Sequence, residues 1–133
     1  MAGYLGAHFL PTMSDILCTT DLTPASDAAL LHALAMGDRL GARVSLLHVL
    51  GKADRDPANK ERVTQAIKNK LEEAAGAQAR ILLPDGDFIE EIAAESARGH
   101  RLVVMGTHGP KGLRQSIFGA DILKLVRRCA VPC

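Results

Sequence analysis

The residues whose types and spacing could do chemistry lie mainly in one stretch near the end of the chain. Between positions 106 and 119 there are four glycines, and Lys111 and Arg114 lie among them. Glycine lacks the β-carbon that would keep a ligand away from the backbone. Backbone N–H groups at the start of a following helix favour an anion, so this pattern indicates a phosphate, with Lys111 and Arg114 adding charge-assisted contacts. The alternative is a solvent-exposed connection that uses glycine only for its turns.

The glycine spacing differs from the common phosphate-binding motifs. Neither the P-loop pattern nor the dinucleotide pattern Gly-x-Gly-x-x-Gly occurs. The spacing present is Gly106-x2-Gly109-x9-Gly119, followed by Ala120. A second polar stretch, Thr-Thr-Asp-Leu-Thr at residues 19–23, has Asp21 at its centre.

No constellation for catalysis or metal binding is evident in the sequence. The five histidines are scattered without metal-ligand spacing, and His48 is interpreted as a packed, hydrogen-bonded residue. Neither a Gly-x-Ser-x-Gly elbow nor a cysteine with an activating base occurs, and Cys18 is interpreted as a core residue. We therefore predict neither catalytic residues nor metal ligands, and at most slow hydrolysis of a bound nucleotide.

Four short apolar runs alternate with longer segments of helical periodicity. The apolar runs predict strands at residues 15–20, 43–49, 79–83 and 101–105. The first three helical segments begin with start signals, namely Thr23-Pro24, Asp56-Pro57 and a capping box of Asp87 with Glu90. The last segment is predicted as an amphipathic helix whose apolar face carries Ile122, Leu125, Val126 and Cys129.

Strand–helix units repeated four times predict a parallel sheet, because parallel neighbours need crossover connections of this length. Right-handed crossovers then give an open, doubly wound, Rossmann-like α/β fold with helices on both faces. In such sheets ligands bind beyond the carboxyl ends of the strands, where the winding direction reverses. Residues 19–23 and the glycine-rich stretch both follow strands, so we expect the functional residues there.

Composition limits the class of protein. With 133 residues the chain is long enough for one domain, and 47% hydrophobic residues can build its core. A formal charge of +1 and 3% aromatic residues disfavour a nucleic-acid-binding module. No apolar run approaches the ~20 residues of a membrane-spanning helix. Three cysteines favour a reducing compartment, hence a cytoplasmic location. Residues 1–12 are interpreted as an N-terminal extension of a domain at 13–133.

At the glycine-rich stretch the sequence resembles the universal stress protein family, whose members carry Gly-x2-Gly-x9-Gly and then Ser or Thr after the fourth strand. Three further strings agree with the family, namely residues 16–26 around Asp21, Leu46-Leu47-His48-Val49, and Val103-Val104-Met105-Gly106. The resemblance covers about residues 14–132. It implies the doubly wound fold of that family and a site for an adenine nucleotide.

The resemblance also implies roles for individual residues. In nucleotide-binding members, Thr19 and Asp21 would match the residues at the adenine and ribose, and Val49 would match the valine beside the base. The implied ligand is ATP, with Mg²⁺ as the counter-ion of its phosphates. The expected function is that of a regulatory module in the stress response, in which bound nucleotide stabilises one conformation or partner surface.

The phosphate end is implied in the same way. Residues matching Met105, Gly106 and Gly109 surround the ribose and phosphates, and those matching Gly119 and Ala120 hold the phosphates. This chain departs from the family at Ala120, where a hydroxyl donor is missing, and it carries Asp121 next to it, a carboxylate that would repel phosphates. Two alternatives therefore stay open: an interaction protein of the same fold without a nucleotide, and a weak ATPase.

The end of the chain departs from the family as well. Pro132 matches the proline that precedes a fifth strand in the family, but the sequence ends at Cys133. We therefore expect the fifth strand to be missing and the fourth strand to lie at an edge of the sheet. Because an exposed edge favours pairing with another chain, we expect either a homodimer formed otherwise than through that strand or a chain that has been shortened.

Overall fold

A computed structural model of the chain describes residues 15–74, 79–106 and 119–133. The strands in this part are β1 (Asp15–Thr19), β2 (Val44–Leu47), β3 (Arg80–Leu82) and β4 (His100–Val104). The α-helices are α1 (Pro24–Leu40), α2 (Pro57–Glu73), α3 (Phe88–Ser96) and α4 (Gly119–Arg128), and a short 3-10 helix spans Lys52–Asp54. The predicted N-terminal extension at residues 1–12 and the positions of Gly109, Lys111 and Arg114 lie outside the described residues.

Three helices begin where the sequence predicts. The Thr23 hydroxyl accepts a hydrogen bond from the amide of Ser26, and the Asp56 carboxylate accepts from the amides of Ala58 and Asn59. Both caps precede a proline at the first helical position. These side chains satisfy amides that have no partner within the helix, and so they fix where α1 and α2 start.

The four strands form one parallel sheet in the order β3-β2-β1-β4. From β1 the chain builds outward through β2 and β3, and then returns to add β4 on the other side of β1. The winding direction therefore reverses between β1 and β4, as the predicted doubly wound fold requires. The carboxyl ends of β1 and β4 flank this point.

Helices cover both faces of the sheet. Ile16 and Cys18 of β1 pack on the side of α1 and α2, in a cluster that includes Ala33 and Ile67. Leu17 points to the opposite face and packs with a cluster from β2, β4, α3 and α4. All three β1 residues are fully buried, which is why this strand is apolar at successive positions rather than at alternate ones.

Two details of the sequence prediction are wrong. Val126 was expected on the apolar face of α4, but its side chain is 46% exposed, and Leu125 is the fully buried residue there. Only one of the two hydrogen bonds of a capping box forms at the start of α3. Asp87 accepts from the amide of Glu90 at 3.0 Å, whereas the Glu90 side chain accepts from Arg128 of α4 at 2.6 Å. The Glu90 carboxylate is thus paired with the Arg128 guanidinium of α4 instead of a backbone amide at the start of its own helix.

β4 lies at the edge of the four-stranded sheet, as predicted. After α4 the chain folds back along this edge, and the amide of Val103 donates to the carbonyl oxygen of Pro132 at 2.8 Å. No fifth strand follows among residues 119–133. None of the helices in the described ranges is long and apolar enough to cross a membrane.

Candidate functional site

The candidate site lies where the chain leaves β1 and β4. β1 is followed by a loop at residues 20–23, and β4 is followed by Met105 and Gly106. Since β1 and β4 are neighbours in the sheet and run in parallel, both loops start at the same end. α4, which follows the glycine-rich stretch, begins at Gly119, with Ala120 as its second residue.

Asp21 is held by its own loop. Its Oδ1 accepts hydrogen bonds from the amide of Thr23 at 3.1 Å, from the Thr23 hydroxyl, and from the Ser26 hydroxyl at 2.6 Å. The amide of Asp21 in turn donates to the Ser26 hydroxyl oxygen at 3.1 Å. The carboxylate is therefore fixed in position before any ligand arrives. The sequence analysis did not identify Ser26, which is 3% exposed and is the residue that locks Asp21 to α1.

Leu22 has the left-handed backbone conformation, with a φ of 67°. This conformation costs an L-residue about 1–2 kcal/mol because its Cβ crowds the backbone. Two contacts hold it: the amide of Leu22 donates to the Thr20 hydroxyl at 2.9 Å, and the side chain packs on the core cluster of α1 and α2. Backbone strain of this kind clusters at functional sites.

Gly106 brings the two loops together. A Cβ on this residue would lie 2.4 Å from the carbonyl oxygen of Ala25 and 2.7 Å from its carbonyl carbon. Ala25 is in the first turn of α1, next to Ser26. The chain leaving β4 therefore passes directly against the start of α1, and the absence of a side chain at Gly106 makes this approach possible.

His48 links the loop after β1 to β2. Its Nδ1 donates to the carbonyl oxygen of Thr20 at 2.9 Å, and its amide donates to the carbonyl oxygen of Leu82 at 3.0 Å. The interpretation of His48 as a hydrogen-bonded structural residue is consistent with this geometry. Val49 follows it and is half-buried against the same core cluster as Met105. The two predicted apolar residues of the site therefore share one side of the sheet.

Thr19 has a different environment from the other predicted site residues. It is the last residue of β1, is 4% exposed, and pairs with Leu47. A ligand at this end of the sheet would meet its backbone or its neighbours rather than an exposed hydroxyl. Within the described ranges, no group of three His, Cys, Asp or Glu side chains could hold a metal ion.

A separate groove lies at the opposite end of the sheet. It has a volume of about 580 Å³ and is lined in part by Leu31, Leu34, Arg43 and Val44, around the end of α1 and the start of β2. It contains none of the predicted site residues. In parallel α/β sheets ligands bind at the carboxyl ends of the strands, so we place the candidate site there and not in this groove.

Comparison with known proteins agrees with the fold and the motifs. The sequence model described as the universal stress protein family matches residues 13–133. Among solved structures, the universal stress protein UspA from Lactobacillus plantarum is 18% identical with a TM-score of 0.70, and the match covers 90% of this chain and 94% of that one. A universal stress protein from Archaeoglobus fulgidus is 16% identical with a TM-score of 0.70, covering 90% and 95%.

A third solved structure, described as a universal stress protein in complex with cAMP, is 14% identical with a TM-score of 0.68. The match covers 90% of this chain and 92% of that one. At these identities the likeness shows the fold alone. No curated protein matches the chain in sequence.

Proposed function

Because the chain belongs to the universal stress protein family, we propose that it is a regulatory module that binds an adenine nucleotide, ATP with Mg²⁺, at the carboxyl ends of β1 and β4. The observation that carries the proposal is the contact of Gly106 with the first turn of α1. It places Gly106, at the end of β4, against the helix turn whose Ser26 holds Asp21, at the point where the sheet reverses direction. One structural neighbour of the same fold is described in complex with cAMP, which is also an adenine nucleotide.

The base and ribose fit the side of the site with Asp21 and Val49. Asp21 is a carboxylate fixed by Thr23 and Ser26, and a fixed carboxylate can accept a hydrogen bond from a ribose hydroxyl or an adenine amino group without losing side-chain entropy on binding. Val49 and Met105 supply half-buried apolar surface for the flat face of the base.

The phosphates fit the start of α4 better than the start of α1. In α1 the amide of Ser26 donates to the Thr23 hydroxyl and the amide of Asp27 donates to the Thr23 carbonyl, so the chain itself supplies acceptors for this turn. α4 begins with Gly119 and Ala120 directly after the glycine-rich stretch, where backbone amides can approach an anion.

A regulatory role fits these residues better than a catalytic one. The fixed carboxylate of Asp21 uses Oδ1 to hold its own loop, which suits positioning better than proton transfer. We further propose that the module acts in the cytoplasm, where its three free cysteines stay reduced, and that it forms a homodimer.

The test is the nucleotide content of the purified protein. The chain is denatured, the released small molecules are separated by chromatography, and the apo protein is then titrated with ATP and Mg²⁺ while its melting temperature is followed. Stoichiometric adenine nucleotide, or a rise in melting temperature that saturates with ATP, supports the proposal. Absence of both supports the alternative of an interaction protein without a nucleotide. Phosphate release in a single-turnover assay would support the weak ATPase instead.

A further inference from the structure

We propose that the groove at the amino ends of the strands is an intramolecular docking site for the N-terminal segment, residues 1–14, and that Phe9 and Leu10 are the side chains that occupy it. The groove lies between the ends of α1 and α2, at the opposite end of the sheet from the candidate nucleotide site. The inference therefore does not rest on the proposed function.

The groove has a fixed shape. Leu31 of α1 lines one side, and Ala74, directly after α2, lines the other. Between α1 and β2, Gly41 has the left-handed conformation with a φ of 65°, and its amide and that of Ala42 both donate to the carbonyl oxygen of Gly37. These hydrogen bonds fix the turn into β2, so the groove is formed before a segment binds in it.

The groove offers apolar surface that a guest can cover. Its volume of about 580 Å³ lies within the range of ~300–1,000 Å³ that ligand pockets span. Leu31 is 56% exposed, and Leu34, Val44 and Ala79 continue the apolar lining. Apolar side chains that enter the groove would therefore remove both their own surface and that of the lining from water, which stabilises the docked state.

The N-terminal segment enters the sheet beside this groove. The amide of Ile16 in β1 donates to the carbonyl oxygen of Arg43 at 2.8 Å, and Ile16 pairs with Val44. Both Arg43 and Val44 line the groove. Phe9 and Leu10 precede β1 by six and five residues. Five extended residues span up to about 17 Å, which exceeds the ~10–12 Å diameter of a helix, so both side chains can reach the groove.

The chemistry of the N-terminal segment suits the groove better than that of an anionic ligand does. Residues 1–14 contain no Lys, Arg, Asp or Glu, and Tyr4 and Leu5 accompany Phe9 and Leu10 as large apolar or aromatic residues. α1 and α2 both end at the groove, where helix carbonyl groups carry partial negative charge and disfavour an anion. An uncharged apolar segment meets no such repulsion and gives up no charge solvation on entering.

The experiment follows a tryptophan introduced in the full chain by Phe9→Trp, because the sequence contains no tryptophan of its own. Quenching of its fluorescence by acrylamide is measured in the folded chain and in urea. We expect quenching to be several-fold weaker in the folded chain, since the docked ring is shielded from solvent. Leu31→Asp and Ala35→Arg each change an exposed lining residue of α1. Both should restore strong quenching and leave the far-UV circular dichroism unchanged.

Leu123→Asp is the matched control, since Leu123 is also 56% exposed but lies on α4, away from the groove. It should leave the quenching of the introduced tryptophan unchanged. Strong quenching in the folded Phe9→Trp chain would overturn the proposal, as would quenching that responds equally to Leu31→Asp and Leu123→Asp or to neither. Protection that disappears on dilution would show that the segment comes from a second copy of the chain, and would overturn docking within one chain.

Discussion

Gly106 packs on Ala25 so closely that a Cβ on the glycine would lie 2.4 Å from the alanine carbonyl oxygen. This contact joins the loop after β4 to the first turn of α1. It brings the carboxyl ends of β1 and of the edge strand β4 together at the start of α1. The nucleotide site that we propose depends on this junction.

The junction predicts a steric penalty at Gly106. Gly106→Ala is expected to lower the free energy of unfolding by about 1–3 kcal/mol, because the new methyl group must displace backbone atoms of α1. Gly51→Ala is the matched control, since nothing lies within 4 Å of a Cβ there. Urea denaturation measures both variants. Equal midpoints for Gly106→Ala and Gly51→Ala would contradict the packing described here.

Ser26 is predicted to support the site through Asp21. Ser26→Ala removes a hydroxyl that donates to the Asp21 carboxylate at 2.6 Å and is buried. A hydrogen bond to a charged group contributes about 1.5–3 kcal/mol, so the variant should lose stability of this order and bind ATP more weakly. Thr64→Ala is the control, because that hydroxyl donates only within α2, to Lys60. Unchanged ATP affinity in folded Ser26→Ala would remove Asp21 from the site.

Ala120 is predicted to weaken phosphate binding because it lacks a hydroxyl. Ala120→Ser should tighten ATP binding about tenfold or more, the equivalent of one hydrogen bond to a charged group. Ala58→Ser is the matched control, since Ala58 is likewise the second residue of a helix, α2. Isothermal titration calorimetry compares the two variants with the unmodified chain. An affinity that stays constant or falls in Ala120→Ser would show that the phosphates lie elsewhere.

Cys18 is predicted to make stability fall at alkaline pH. Burial raises the pKa of its thiol from 9.0 to about 12. Between pH 9 and 12 the unfolded chain releases this proton while the folded chain keeps it, so the free energy of unfolding decreases as pH rises. Cys18→Ala should show a shallower decrease over this range. The comparison is made in a Cys133→Ser background, because that thiol also has its pKa raised to about 12. If the free energy of unfolding falls equally steeply with pH in the variants with and without Cys18, the raised pKa of this thiol is contradicted.

The sequence was sufficient to predict the fold because its local signals agree with each other. Thr23 and Asp56 cap the helices that they were predicted to start, and the apolar runs became the strands of a parallel sheet. Val126 and Glu90 were predicted wrongly because periodicity and capping rules consider one element at a time. Their environments depend on how α4 packs on α3, which local patterns do not specify.

The candidate site could be predicted only in part. Asp21 and Gly106 stood out by residue type, but the motif gave no sign that Ser26 locks the first or that Ala25 limits the second. Both relationships, Ser26 with Asp21 and Ala25 with Gly106, depend on how the first turn of α1 is placed in the fold. A glycine that lets a ligand approach the backbone and a glycine that lets two backbone segments pack look alike in a sequence. The short distance to Ala25 shows that Gly106 permits backbone packing.

The most direct test of the account is a crystal structure of the chain grown with excess ATP and Mg²⁺. We predict nucleotide density at the carboxyl ends of β1 and β4, with the base beside Val49, the ribose near Asp21 and the phosphates at the backbone of Gly119 and Ala120. ATP bound in the groove of Leu31 and Arg43 at the opposite end of the sheet, or an empty site at saturating nucleotide, would contradict it.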